Sequence, residues 1–178
     1  MRNVWISVTL DPDLRDKLYK IGVGINEKVN FSFMDYNDLH MTALFLGEKC
    51  KKRDIIENIL QRFADEFKEM QNEKIKFTKA SFFPPTKNNL IVLEYECTKN
   101  FKNKLETLKK EFTTEFGVVF EDREYVPHIT LGKLNLTKKQ LSELINSDFL
   151  NKLNDKLCNN KLDILVSSEE PLYICGNI

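Results

Sequence analysis

Both histidines of this chain stand in the same local setting, Leu-His40-Met-Thr42 and Pro-His128-Ile-Thr130. Histidine exchanges protons near neutral pH, where an unperturbed imidazole titrates at about 6.5, so a pair can hold one neutral and one protonated ring. In an extended strand alternate side chains share a face, which puts His40 with Thr42 and His128 with Thr130. If the two strands lie side by side in a concave sheet, both imidazoles open on one cleft. Cleavage of a phosphodiester at a ribose needs a base for the attacking oxygen, an acid for the leaving oxygen and donors for the phosphoryl oxygens. Two imidazoles supply the first two needs, and threonine hydroxyls with backbone N–H groups supply the third. No metal or other cofactor enters such a scheme. A single His-x-Thr in a strand is more often structural, because threonine is common there. Its use by every histidine of the chain favours chemistry.

The elements that must position these residues follow from periodicity and punctuation. Val4 to Leu10 reads as a buried strand, and Asp11-Pro12 as the start of a helix that Gly22 and Gly24 end. Asn30 to Met34 and Leu39 to Leu46 read as strands. Lys51 to Met70 is the clearest amphipathic helix, with Ile55, Ile56, Ile59, Leu60, Phe63 and Phe67 spaced by three and four. Lys74 to Phe83 and Asn89 to Cys97 are expected strands joined by a Pro84-Pro85 loop. A helix over Phe101 to Phe112 ends near Gly117. Val118 to Phe120 is an expected short strand, Glu121 to Val126 a charged loop and His128 to Leu134 another strand. Thr137 opens a helix that breaks near Ser147 and resumes, followed by strands at Leu162 to Val166 and Leu172 to Cys175. Each His-x-Thr strand thus follows a helix and precedes another, a duplication of architecture more than of residues. Strands mixed with long helices predict an α+β fold with largely antiparallel pairing.

Bulk properties narrow the class. A chain of 178 residues with 42% hydrophobic and 30% charged content suits one soluble domain, residues 1–178, or two small lobes sharing a core. Lys plus Arg equals Asp plus Glu at 27 each, which argues against coating of long duplexes by charge neutralisation. A short anionic ligand in a local pocket is compatible with it. The four cysteines form no CxxC pair, so a Cys/His zinc site is not expected and free thiols in a reducing compartment are. No apolar run is long enough for a membrane span, and an early charged N-terminus argues against a secretory signal. A cytoplasmic, monomeric protein without membrane contact is the expectation.

The motif surroundings resemble a known family. LHMTALFLGE is similar to the first signature of the two-histidine phosphoesterases, commonly Leu-His-x-Thr-Leu-x-Phe-Leu-Gly-Glu, and YVPHITLGK to the second, Pro-His-x-Thr-Leu-x-Arg. Between them, SFFPPTKNNLIVLEYE resembles that family's Phe-Pro loop running into a strand. The branch most resembled is the LigT-like, or RNA 2′,3′-cyclic phosphodiesterase, group. The resemblance implies a bilobal, pseudo-twofold duplicated fold whose largely antiparallel sheets form a concave groove, with helices outside. It also implies metal-independent cleavage of phosphodiesters that involve a 2′ oxygen. By position, His40 and His128 would be the acid–base pair and Thr42 and Thr130 the phosphate ligands. In that branch the first histidine tends to serve as acid and the second as base, exchanging roles in the reverse direction. The implied substrates are RNA ends with a 2′,3′-cyclic phosphate, 2′-5′ oligoadenylates and cyclic dinucleotides. The last two would make the protein a suppressor of nucleotide-based immune signalling. A non-catalytic RNA- or nucleotide-binding module on the same fold is the rival class.

Two positions depart from the signature. Ala43 replaces a leucine, a matter of packing. Lys133 stands where the second signature has arginine, keeping the charge without the bidentate fork. Strict alternation puts Lys133 on the face opposite His128, so a phosphate contact requires a bulge or the strand's end. Around the motifs, Phe82, Phe83 and Tyr125 are candidates for the base or substrate pocket, since aromatic rings stack on unpaired bases. The competing reading for each is core packing, as it is for Trp5. The basic run Lys49 to Arg53 reads as a solvated loop or as a phosphate-attracting patch.

Overall fold

The computed structural model describes residues 3–47, 52–71, 73–120 and 125–176. The run at Lys49 to Lys51, with Cys50, and most of the Glu121 to Val126 loop therefore lie outside the described residues. Among the described residues, eight strands form one antiparallel sheet: β1 (Val4–Val8), β2 (Phe31–Phe33), β3 (Met41–Gly47), β4 (Lys74–Phe83), β5 (Leu90–Glu96), β6 (His128–Leu134), β7 (Ile164–Leu165) and β8 (Leu172–Gly176). Five helices join them: α1 (Pro12–Asn26), α2 (Arg53–Lys68), α3 (Lys99–Phe116), α4 (Lys138–Ile145) and α5 (Phe149–Leu157). The strand order is β7-β4-β5-β6-β3-β1-β8, with β2 on β6. The two histidine strands β3 and β6 are neighbours near the centre, with β5, β4 and β7 continuing the sheet beyond β6 and β1 and β8 beyond β3. This is the α+β, duplicated arrangement.

Local chemistry accounts for the element ends. The Asp11 side chain accepts from Leu14 N at 2.9 Å and Pro12 occupies the first turn of α1. Thr98 caps α3 through Phe101 N. Thr137 and Gln140 form a reciprocal capping box on α4. The expected stop at Gly22 does not occur, because α1 runs on to Asn26. A Cβ at Gly22 would lie 2.9 Å from Phe33 Cβ, so this glycine lets α1 approach β2 and does not end the helix. Val118 to Phe120, expected as a strand, has no strand pairing.

The back of the sheet is apolar. Ile6, Met41, Ile129, Ile91 and Leu93 are buried in one core with Leu14 and Leu18 of α1, Ile56 and Ile59 of α2, and Phe101, Leu105 and Leu108 of α3. At one side the Asn154 amide of α5 bonds both Ala80 N (2.6 Å) and Ala80 O (3.1 Å), covering β4 where β7 no longer pairs with it. Gly132 is required by the junction with β2. A Cβ there would meet Ser32 O at 2.2 Å and Phe33 Cα at 2.6 Å.

Candidate active site

The pairing of β3 with β6 centres on Met41 opposite Ile129, the middle residues of the two motifs. Both middle side chains are buried in the core, so His40, Thr42, His128 and Thr130 take the other face. Antiparallel register then sets His40 beside Thr130 and Thr42 beside His128. The two histidines are diagonal neighbours, about 7–8 Å apart at Cα in a regular ladder. An approximate twofold axis passes between Met41 and Ile129.

The two rings are held alike. His40 Nδ1 lies 2.6 Å from Asp38 O, and His128 Nδ1 lies 2.9 Å from Val126 O. Each partner is the carbonyl two residues earlier. A carbonyl only accepts, so the Nδ1 proton is donated, and Nε2 has no hydrogen-bond partner among the described residues in either ring. A neutral ring of this tautomer accepts a proton at Nε2, and a charged one donates from it. Each ring also rests on an aromatic neighbour: Trp5 against His40, with centroids 5.4 Å apart, and Phe83 against His128 at 4.7 Å.

Both motif strands bulge directly after the threonine. Against β1, Ser7 pairs with Thr42 but Ile6 with Leu44. Against β5, Val92 pairs with Thr130 but Ile91 with Gly132. One extra residue in each strand reverses the alternation beyond it. Lys133, which pairs with Leu90, thereby returns to the face of His128 and Thr130, where it is exposed. The bulge that a phosphate contact required is present. The equivalent place in the first half belongs to Phe45, which pairs with Trp5 and is 54% exposed. A cation and a phenyl ring thus occupy symmetry-related positions five residues after each histidine.

The aromatic candidates separate. Phe83 is on the histidine face. Phe82 pairs with the fully buried Ile91 and stacks on Phe149 of α5, so its expected place in a substrate pocket is corrected to the helical side of the sheet. Strand alternation forces one of two consecutive phenylalanines to each side. Tyr125 turns inward: its hydroxyl donates to Thr42 O at 2.7 Å, and burial pushes its phenol well above the ordinary tyrosine range. The hydroxyl is committed to the backbone, in contrast to the expected pocket lining.

Sequence reasoning passed over two residues of this face. Phe45 is hidden by the parity change at the bulge, although its spacing from His40 equals that of Lys133 from His128. Glu94 pairs with His128 and is held by Ser81 Oγ and, at 3.7 Å, by Lys79 Nζ. Only sheet order brings it there. Among the described residues, Cys97, Cys158 and Cys175 are free thiols, Cys97 buried and Cys158 exposed. No described helix is long and apolar enough to cross a membrane.

No protein-family model matches the sequence, and no curated protein matches it. Solved structures do match in shape. TT0787 of Thermus thermophilus superposes with a TM-score of 0.57 at 20% identity, covering 77% of this chain and 76% of its own. Escherichia coli LigT in complex with 3′-AMP gives 0.53 at 14% identity, covering 76% of each chain. A conserved protein of unknown function from Agrobacterium tumefaciens, ATU0111, gives 0.60 at 15% identity over 99% of this chain and 80% of its own. With two His-x-Thr strands paired at the centre of a duplicated antiparallel sheet, the chain has the fold of LigT and TT0787.

Proposed function

We propose that this protein is a phosphodiesterase that hydrolyses nucleotide phosphodiesters involving a 2′ oxygen, foremost 2′,3′-cyclic phosphates, with the chain's own groups and no metal. The observation that carries this reading is the matched anchoring of His40 and His128, which leaves two Nε2 atoms without a hydrogen-bond partner among the described residues, on one sheet face beside two threonines. One imidazole, neutral, takes a proton from water as the water oxygen bonds to phosphorus. The other, protonated, gives its Nε2 proton to the ribose oxygen as the P–O bond breaks. Thr42 and Thr130 donate to the non-bridging oxygens, and Lys133 adds charge from the rim. Both rings return to their starting states by proton exchange with solvent. Phe45 and Trp5 offer a stacking surface for a base. That E. coli LigT holds 3′-AMP supports a nucleotide as the substrate.

A second reading, a 2′-5′ oligoadenylate or a cyclic dinucleotide, is favoured by one feature. Aromatic rings lie on both sides of the histidine pair, Trp5 and Phe45 on one and Phe83 on the other. Two bases flanking one phosphate would use both sides. In that reading the protein degrades a nucleotide signal of the immune type.

The deciding experiment is a substrate panel of 2′,3′-cyclic nucleotides, 2′-5′ and 3′-5′ oligonucleotides and mixed-linkage cyclic dinucleotides, run with EDTA, with product phosphates located by phosphorus NMR. Turnover of 2′,3′-cyclic or 2′-5′ compounds that persists in EDTA is expected. Activity limited to 3′-5′ linkages, or strictly dependent on added metal, would overturn the proposal. Tight binding without turnover would point to the non-catalytic module.

A further inference from the structure

The β3–β6 junction is thin for a site that depends on it. Met41–Ile129 is its paired register, and further along the same edge of β6 the partner is β2, which pairs with Gly132 to Leu134. The bulge after Thr42 loosens β3 at the same point. Something other than the ladder must hold Thr42 and His128 in register.

We infer that Tyr125 is the positioning residue that locks the two motifs together, by tying the Thr42 carbonyl to the segment that orients His128. Its hydroxyl donates to Thr42 O at 2.7 Å, and the next residue, Val126, supplies the carbonyl that holds His128 Nδ1 at 2.9 Å. The residue after that is fixed in turn, because Pro127 O accepts Tyr95 N at 2.9 Å. Three consecutive residues therefore bind the first motif, the second histidine and strand β5. Burial keeps the phenol protonated and so always a donor. Without the hydroxyl, the Thr42 carbonyl loses this donor and the separation of Thr42 from His128 is free to drift. A displacement of about 1 Å in a catalytic group costs on the order of a hundredfold in rate.

This inference rests on the reading of the histidines as an acid–base pair, and its test separates the two. Tyr125→Phe keeps the ring, so the core stays filled, and circular dichroism with a thermal melt checks that the variant folds. With 2′,3′-cyclic AMP as substrate, kcat is expected to fall about tenfold or more while KM changes less than about twofold, as lost alignment demands. A rise in KM with kcat unchanged would mean that the hydroxyl touches substrate. A lowered melting temperature with both constants unchanged would mean a purely structural bond. Either result overturns the inference. The ring nitrogens of His128, followed by nitrogen NMR in wild type and variant, report on positioning even if no substrate is turned over. Shifted Nδ1 and Nε2 signals for His128 with those of His40 little moved are expected, and unmoved His128 signals would sink the idea. Absence of turnover by the wild type counts against the enzymatic reading alone.

Discussion

Met41 and Ile129 face each other across the junction of β3 and β6, and that one pair decides how the four polar residues around it meet. With the middle residues opposed, each histidine lies next to the other motif's threonine. A substrate phosphate over this point would meet one imidazole and one hydroxyl from each half of the chain.

His40→Ala and His128→Ala should each lower kcat by about 10² to 10⁴ without unfolding the protein, because both rings are at the surface of the sheet and out of its core. The double variant should lose little more than the worse single one, since acid and base act as a unit. Steady-state rates on the preferred substrate, with circular dichroism as a fold control, check this. An unchanged rate in either single variant would remove that histidine from the mechanism.

The threonine hydroxyls are expected to bind phosphate. Valine keeps the shape and β-branching of threonine but not the donor, so Thr42→Val or Thr130→Val should cost about ten- to a hundredfold in kcat/KM. Serine at either position should recover most of it. A valine variant as active as the serine variant would argue for packing as the only role.

Lys133 reaches the histidine face only because β6 bulges. Lys133→Ala should raise KM about tenfold for an anionic substrate, and Lys133→Arg should hold it near the wild-type value. The effect should shrink with added salt, as befits an exposed charge. A KM insensitive to the alanine change would return Lys133 to a solvated surface residue.

Gly132→Ala is a test of the fold. The added methyl would meet backbone atoms of β2, Ser32 O at 2.2 Å among them, and backbone does not swing away as a side-chain tip can. A loss of about 1–3 kcal/mol is expected, which in a protein of this size lowers the melting temperature by about 2–4 °C per kcal/mol. A melt identical to wild type would mean that β2 and β6 are not joined this closely.

Cys97 supplies a pH-dependent contribution. Burial pushes its thiol up to about 12 from the ordinary value of 9.0, with the Lys102 charge opposing and the Glu73 charge adding to the rise. The folded protein retains a proton that the unfolded chain releases near pH 9, so this stabilisation is complete below pH 9 and is lost as the pH rises towards 12. Denaturant melts between about pH 8 and 11 should show stability falling in the wild type, and falling less steeply in Cys97→Ala. The native thiol should also resist Ellman's reagent at about pH 8. Rapid labelling of Cys97 in the folded state would contradict its burial.

Much of this protein is readable along the chain. The His-x-Thr repeats, the strand at His128 to Leu134, the long amphipathic helices and their caps all depend on side chains within a few residues of one another. Local spacing and local hydrogen bonding determine them, and those are properties of sequence. The parity of residues beyond a bulge is not. Lys133 and Phe45 change face because β5 and β1 oppose two residues with one, and only the partner strand reveals that. Gly22 lies inside a helix, where its missing side chain leaves room for Phe33 of another element. Phe82 and Phe83 part company because the sheet has two sides and α5 covers one of them. Residue order alone thus names the groups suited to the chemistry and shows that they come in two matched sets. How the sets are opposed, which neighbours join them and what ties them together depend on the folded chain, because contacts between distant segments follow from sheet order and packing, which no local pattern contains.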